Sequence, residues 1–256
     1  MSNIKIKSND FSLTLARGFQ ILEIFSPEVK AVTTAEAAGR IGISRAAARR
    51  LLLTLLELGY VERKKSSFQL SDKILLIGKG LLAHNNKWVV ATSEIINLSN
   101  RMNEPFSVAV LDGIQIRFVA RDSTRRIHSK RLVVGDTLTA YCSAAGKVLL
   151  ASLEINEVEE LVDRYGPLIQ RTEATITNLH DLLEELRKVR LQNFAVADSE
   201  MDKGTIGIAV PIFDDSGGVL AALAVGSHKI RRSIAELKRD FLPELINVAD
   251  RISRQL

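Results

Sequence analysis

Residues 33–70, TTAEAAGRIGISRAAARRLLLTLLELGYVERKKSSFQL, carry the pattern that decides the fold. A short helix opens at Thr33 or Thr34, either of which can cap it, with Glu36 and Ala37 in its first turn. Ile41-Gly42-Ile43 makes a tight turn, because glycine tolerates positive φ and the flanking isoleucines fill the gap between helices. Ser44 caps the next helix, which runs to Leu58 and stops at Gly59. Residues 60–62 and 67–70 then read as two strands, with Arg63, Lys64, Lys65 and Ser66 at the tip. Upstream, Leu15, Phe19, Leu22 and Phe25 recur at helical spacing, so 12–25 reads as a first helix that ends at Ser26-Pro27. Together these elements have the shape of a winged helix-turn-helix, a module whose second helix enters the DNA major groove.

Within SRAAARRLLLTLLEL, the residues Ala48, Leu51, Leu52 and Leu55 share one side and should face the other helices. The opposite side presents Ser44, Arg45, Ala46 and Arg49, with Arg50 beside them. Arg45 and Arg49 lie one turn apart and project together. Arginine bidentate to guanine is the commonest specific base contact, so these two are assigned to bases and Ala46 to close approach or a thymine methyl. Arg50, Ser44, Thr34 and the wing residues Arg63, Lys64 and Lys65 are assigned to phosphates. A lone surface arginine usually does no more than solvate its helix, and basic loops are common. Three arginines in six residues, just inside a helix behind a glycine turn, favour DNA.

The charge distribution agrees. Residues 1–75 hold 12 Lys/Arg against 7 Asp/Glu, whereas residues 76–256 hold 23 of each. The whole excess of positive charge therefore sits with the helix-turn-helix pattern, where phosphates would need it. A single cysteine, Cys142, rules out an intramolecular disulfide and fits a reducing compartment. MSNIKIKSNDF lacks the apolar core of a signal peptide, and no uncharged apolar run approaches the ~18 residues of a membrane span. A soluble, cytoplasmic protein is expected.

Beyond the wing, residues 71–104 read as linker and dimerisation helices broken near Asn85-Asn86. Leu75, Leu76, Leu81 and Leu82 give the first of them an apolar side suited to a partner chain. From Pro105 the texture changes. SVAVLDGIQIRFVAR is a β-hairpin around Asp112-Gly113. Residues 127–134 look like another strand, 143–152 like a helix, and two more helices span 156–165 and 178–193. Strands follow at 194–198, 205–213 and 219–227. A closing helix over 234–255 carries Leu237, Phe241, Leu245, Val248, Ala249 and Ile252 on one side. Hairpins rather than βαβ units imply an antiparallel sheet with flanking helices, and the fold class is α+β with two domains, 1–70 and 105–256, joined by 71–104.

Several segments, in order, resemble the IclR family of bacterial transcriptional regulators: ARGFQILEIFS, ISRAAARRLLLTLLELGYV, VGDTLTAYCSAAGKVLLASL and NFAVADSEMDKGTIGIAVPIFDDSGGVLAALAVG, followed by a final amphipathic helix. The SRAAARRLLLTL reader and AYC before the helix most resemble the branch that controls aromatic-acid catabolism through protocatechuate and β-ketoadipate. The resemblance implies an N-terminal winged helix-turn-helix and a C-terminal effector domain of GAF-like fold. It also implies homodimers, often paired into homotetramers, on palindromic operator DNA. No cofactor and no metal are expected.

A small-carboxylate effector is expected in the C-terminal domain, because a helix N-terminus offers free backbone N–H groups to an anion. By resemblance, Ser143, Ala144, Ala145 and Gly146 form one wall of its pocket, and Ala197, Asp198, Thr205, Gly207 and Ala224 the other. The chain departs from the family pattern at Ala197, where an acid is frequent, at Gly207, where a cysteine is frequent, and at Thr139, where a proline is common. Arg117, Arg121, Arg125, Arg126 and Arg131 cluster around the hairpin and could meet an acid, although such runs are usually solvated. Other readings stay open. Cys142 with His128 or His180 invites a nucleophile–base pair, but no cysteine-hydrolase motif surrounds it, and His84, His128, His180 and His228 lack metal-ligand spacing. Cys142 beside a helix N-terminus could also sense redox state. A DNA-binding protein without an effector would leave about 180 residues unexplained, the span beyond the reader.

Overall fold

In the computed structural model, which describes residues 10–26, 28–77, 87–122 and 132–255, the chain divides into two units, Met1–His84 and Asn85–Leu256. The first unit contains α1 (Leu13–Glu23), β1 (Val32–Thr33), α2 (Thr34–Ile41), α3 (Arg45–Glu57), β2 (Val61–Lys64) and β3 (Ser67–Leu70). Thr33, rather than Thr34, caps α2. Its hydroxyl accepts from the Glu36 N–H while the Glu36 carboxylate accepts from the Thr33 N–H, closing a capping box. Gly42 ends α2 at φ 68°, and Ser44 caps α3 by accepting from the Ala47 N–H. Ala48, Leu52 and Leu55 bury against Ile21, Ala37 and Ala38.

Two details differ from the sequence expectation. The wing strands pair as far as Lys64 and Ser67, leaving Lys65-Ser66 as a two-residue tip with Lys65 at φ 57°. Such short hairpins need positive φ at the tip, so Arg63 and Lys64 lie in the strand instead. In α1 the buried residue is Ile21, while Leu15 and Phe19 stay 61% and 47% exposed because the start of the helix projects beyond the small core.

The second unit is built on one antiparallel sheet in the order β6-β5-β4-β9-β8-β7. Its strands are β4 (Phe106–Asp112), β5 (Gln115–Arg121), β6 (Thr137–Thr139), β7 (Ala195–Asp198), β8 (Thr205–Phe213) and β9 (Val219–His228). Alternation along β8 decides what each face carries. Ile206, Ile208, Val210 and Ile212 go to one face, where they pack with Ile95 and Leu98 of α4 (Lys87–Met102) and with Leu245, Val248 and Ile252 near the C-terminus. Along the middle of β8 and β9 the opposite face carries small residues. Ala209 and Ala222 lie there under α5 (Ala144–Ala151), alongside α6 (Ile155–Tyr165) and α7 (Leu179–Gln192).

The closing helix is not uniform. A short α8 (Ile234–Glu236) and α9 (Leu242–Ser253) are joined through a π turn at Leu237–Phe241, next to Pro243, which has no N–H to continue an α-helical ladder. The third strand of the hairpin edge is β6, not a strand over 127–134. Residues 132–134 are not in a strand, and 127–131 lie outside the described residues. The same applies to Leu81, Leu82, His84, the Asn85-Asn86 break, Arg125, Arg126, His128 and Arg131. No described helix is long and apolar enough to cross a membrane.

Candidate effector cavity and nucleic-acid interface

On α3, Arg45, Ala46, Arg49 and Arg50 are all exposed. Ala46, Arg49 and Arg50 border a shallow surface depression with Leu53 and Thr54, so the small alanine leaves the arginines standing proud of the helix. Ser44 is exposed at the N-terminus of α3 while its oxygen accepts from Ala47, and Thr34 is half-buried in the first turn of α2. Lys64 and Lys65 are exposed on the wing. Arg63 is exposed too, but its Nε donates to the Lys65 carbonyl at 3.2 Å, which ties it to the hairpin tip.

In the second unit, the helix-covered face of the sheet carries a half-open cavity of about 80 Å³. That is several times the roughly 10–15 Å³ that one water requires. Ser143, Ala144, Ala145, Ala197, Thr205, Gly207 and Ala224 line it together. Gly207 keeps the floor low, since a Cβ there would sit 3.2 Å from the Val225 carbonyl oxygen and 3.9 Å from the Ala144 Cβ. The N-terminal turn of α5, whose first N–H groups have no acceptor within the helix, forms the roof.

Gly146 and Asp198 do not line the cavity. A side chain on Gly146 would overlap the backbone of Ala140, so this glycine lets α5 pack directly on the 3-10 turn Ala140–Cys142. Asp198 turns to Lys229, whose Nζ lies 2.6 Å away. Burial works to raise the Asp198 carboxyl, but Lys229 and Ser199 outweigh it and hold it low.

The cavity also recruits groups that sequence spacing could not single out: Ser107, Ile116, Phe118, Leu138, Glu200 and Met201. Among the hairpin arginines, Arg121 lines it, whereas Arg117 pairs with Asp112. Arg121 lies over the Phe118 ring at 4.6 Å, and its Nε donates to the Leu132 carbonyl. Burial pulls its guanidinium down to about 10, against Asp122 and Asp136, which leaves it cationic at neutral pH.

Behind the opposite wall, Lys147 is only 2% exposed. Its Nζ donates to Glu200 Oε1 at 2.7 Å, to the Val196 carbonyl at 3.1 Å and to Glu185 Oε1 at 3.3 Å. A lysine inside the otherwise apolar helix AAGKVLLA needs such a partner, and that was the signal available in the sequence. Burial pushes the Glu200 carboxyl up, opposed by Lys147.

Cys142 borders the cavity but is 1% exposed, and burial, followed by the charge of Glu200, pushes its thiol up to about 12. Burial thus opposes the thiolate that a helix N-terminus would favour. His180 and His228 do not line the cavity. No cluster of His, Cys, Asp and Glu able to hold a metal occurs among the described residues.

Comparison with known proteins is consistent across the chain. A family model described as "IclR helix-turn-helix domain" matches residues 14–65, and one described as "Bacterial transcriptional regulator IclR C-terminal" matches residues 81–254. The Pca regulon regulatory protein of Pseudomonas putida is 36% identical over 96% of this chain and 85% of its own length. A crystal structure of an IclR homolog from Microbacterium hydrocarbonoxydans, complexed with 4-hydroxybenzoate, superposes with a TM-score of 0.83 at 24% identity, covering 95% of this chain and 98% of that one. A double mutant of the PobR inducer-binding domain from Acinetobacter, in complex with 3-hydroxybenzoic acid, superposes with a TM-score of 0.61. It is 32% identical and covers 65% of this chain and 97% of its own.

Proposed function

The chain belongs to the IclR family of bacterial transcriptional regulators, and on that premise we propose a DNA-binding switch set by a small aromatic acid in the cavity of the second unit. The observation that carries the effector half is the cavity itself. It combines apolar walls from Ile116, Phe118, Leu138 and Met201 with the cation of Arg121 and the opening turn of α5. Flat apolar walls suit a ring, and the two donor groups suit a carboxylate. The relatives support the same class, through the named Pca regulon and the two hydroxybenzoate complexes.

In this reading, Arg45, Ala46 and Arg49 read bases, while Arg50, Ser44, Thr34, Arg63, Lys64 and Lys65 hold phosphates of a palindromic operator. Residues 1–70 form the reader, 71–104 the linker and 105–256 the sensor. Exposed Leu75, Leu76 and Ile77 in the linker, like Leu13, Leu15 and Phe19 on α1, suit a homodimer that can pair into a tetramer in the cytoplasm. The protein regulates and does not catalyse.

A thermal-shift screen of the full chain against hydroxybenzoates, protocatechuate, β-ketoadipate and short keto acids tests the effector. A ligand at ~100 times its Kd should add roughly 2.7 kcal/mol and raise the melting temperature clearly. A flat screen across all of them would refute an acid effector. A monomeric mass by light scattering at micromolar concentration would refute the dimer.

A further inference from the structure

One buried acceptor in the cavity wall is left without a partner. Glu200 is 7% exposed. Its Oε1 takes both available donors, Lys147 Nζ at 2.7 Å and the Asp198 N–H at 3.3 Å. Its Oε2 is fully buried and has no hydrogen-bond partner among the described residues. Buried carboxylate oxygens are rarely left so, since an unmet acceptor costs the full desolvation of the group. Glu200 lines the cavity, so a ligand that displaces the groups packed over Oε2 can supply the missing donor.

Sheet order places this acceptor opposite the cation. Arg121 stands at the end of β5, where it pairs with Ser107 of β4, and Ser107 pairs with Ala224 of β9. Glu200 follows β7, on the far side of β8. Between them lie Ala224, Gly226 and Gly207, a floor of small residues crossing strands spaced roughly 4.8 Å apart. A ligand along that floor meets a guanidinium at one end and a carboxylate oxygen at the other.

We propose that Glu200 Oε2 is the specificity determinant of this site, accepting a hydrogen bond from a hydroxyl at the end of the effector remote from its carboxylate. The assignment rests on the acid-effector reading above and sharpens it to hydroxylated monoacids. A second carboxylate at that end would face Glu200 with like charge in a buried site. Dicarboxylates are therefore excluded as effectors, and an acid without the hydroxyl leaves Oε2 unmet.

Isothermal titration of the full chain with 4-hydroxybenzoate, 3-hydroxybenzoate, benzoate and adipate decides the matter without any substitution. At least one hydroxybenzoate should bind roughly tenfold to a hundredfold more tightly than benzoate, the worth of a hydrogen bond to a charged group, and adipate should be weakest. Glu200→Gln, which replaces a charged acceptor by a neutral amide, should shrink the preference for the hydroxyl to that of a neutral hydrogen bond. Benzoate binding within about twofold of both hydroxybenzoates would overturn the proposal and mean that water satisfies Oε2. So would adipate binding best, or a folded Glu200→Gln chain that keeps the preference undiminished. If none of the four binds, this proposal fails, and the acid-effector reading falls with it only if the wider thermal-shift screen is flat as well. If Glu200→Gln does not fold, the titrations of the unaltered chain still decide.

Discussion

Replacing Lys147 by methionine removes one charge from a site that holds three. Lys147 and Glu200 are almost fully buried, at 2% and 7% exposure, and Glu185 is partly exposed. Without the ammonium, Glu200 keeps one backbone N–H and loses its close cation among the described residues, so a buried carboxylate stands nearly alone. Breaking a buried pair from one side typically costs about 3–5 kcal/mol. For a unit of the size of Asn85–Leu256, that corresponds to a fall in melting temperature of roughly 6–20 °C. The single tryptophan, Trp88, packs against the core of this unit and reports its unfolding by fluorescence.

Two controls separate charge from packing. Adding Glu200→Gln to Lys147→Met should recover much of the loss, because the stranded charge is then gone. The penalty should also depend on pH. In the variant the folded-state pKa of Glu200 lies far above its unfolded value, so the cost is absent below about pH 4 and grows as pH rises through the unfolded pKa near ~4.3. Stability within about 1 kcal/mol of the parent at neutral pH, or a double variant no more stable than the single one, would refute the assignment of Lys147 as the counter-charge of Glu200.

Two further outcomes follow from the reader unit. Arg45→Ala and Arg49→Ala should relax operator preference by roughly 1–3 kcal/mol at one base position each, whereas Arg50→Ala should weaken binding to all sequences and lower the salt slope by about one; the same uniform loss from all three, in competition binding against mismatched operators, would remove the base assignment. The Glu36 carboxyl is held below its ordinary range by the Thr33 N–H and then the Thr33 hydroxyl, so its capping contribution is complete above the unfolded pKa and disappears as pH falls through the lowered folded value. Glu36→Gln should flatten that acid limb in denaturant midpoints of the first unit, and superimposable limbs would contradict the capping box.

The reader was legible because its information is local. Thr33, Gly42, Ser44 and Gly59 punctuate the chain within a few residues of the elements they end, and the arginines lie on the helix they serve. The sheet core of the second unit was legible for a similar reason, as alternation along 205–213 names its own faces. The cavity was only half legible. Ala144, Ala145, Gly207 and Ala224 were found through their small size and family position. Arg121 and Glu200 sit at the ends of different strands, and only tertiary pairing brings them to one space. Gly146 was expected in the pocket wall, because a glycine in a helix looks the same whether a ligand or a backbone approaches it. Asp198 was misplaced because its partner, Lys229, arrives from the next hairpin. The strand β6 escaped because three residues, Thr137–Thr139, are too few to show a period.

The contact between Gly146 and Ala140 couples parts of the second unit that a ligand can move. With no side chain between them, α5 cannot slide without carrying the turn Ala140–Cys142. That turn is fastened in two further places: the Ala140 N–H donates to the Ile114 carbonyl at the tip of the first hairpin, and the Tyr141 hydroxyl donates to the Ile169 carbonyl at 3.1 Å. Any displacement of the roof of the cavity would therefore be passed to the sheet edge and to the loop after α6. Position 146 is the point with no tolerance, because even a Cβ there would overlap the Ala140 backbone.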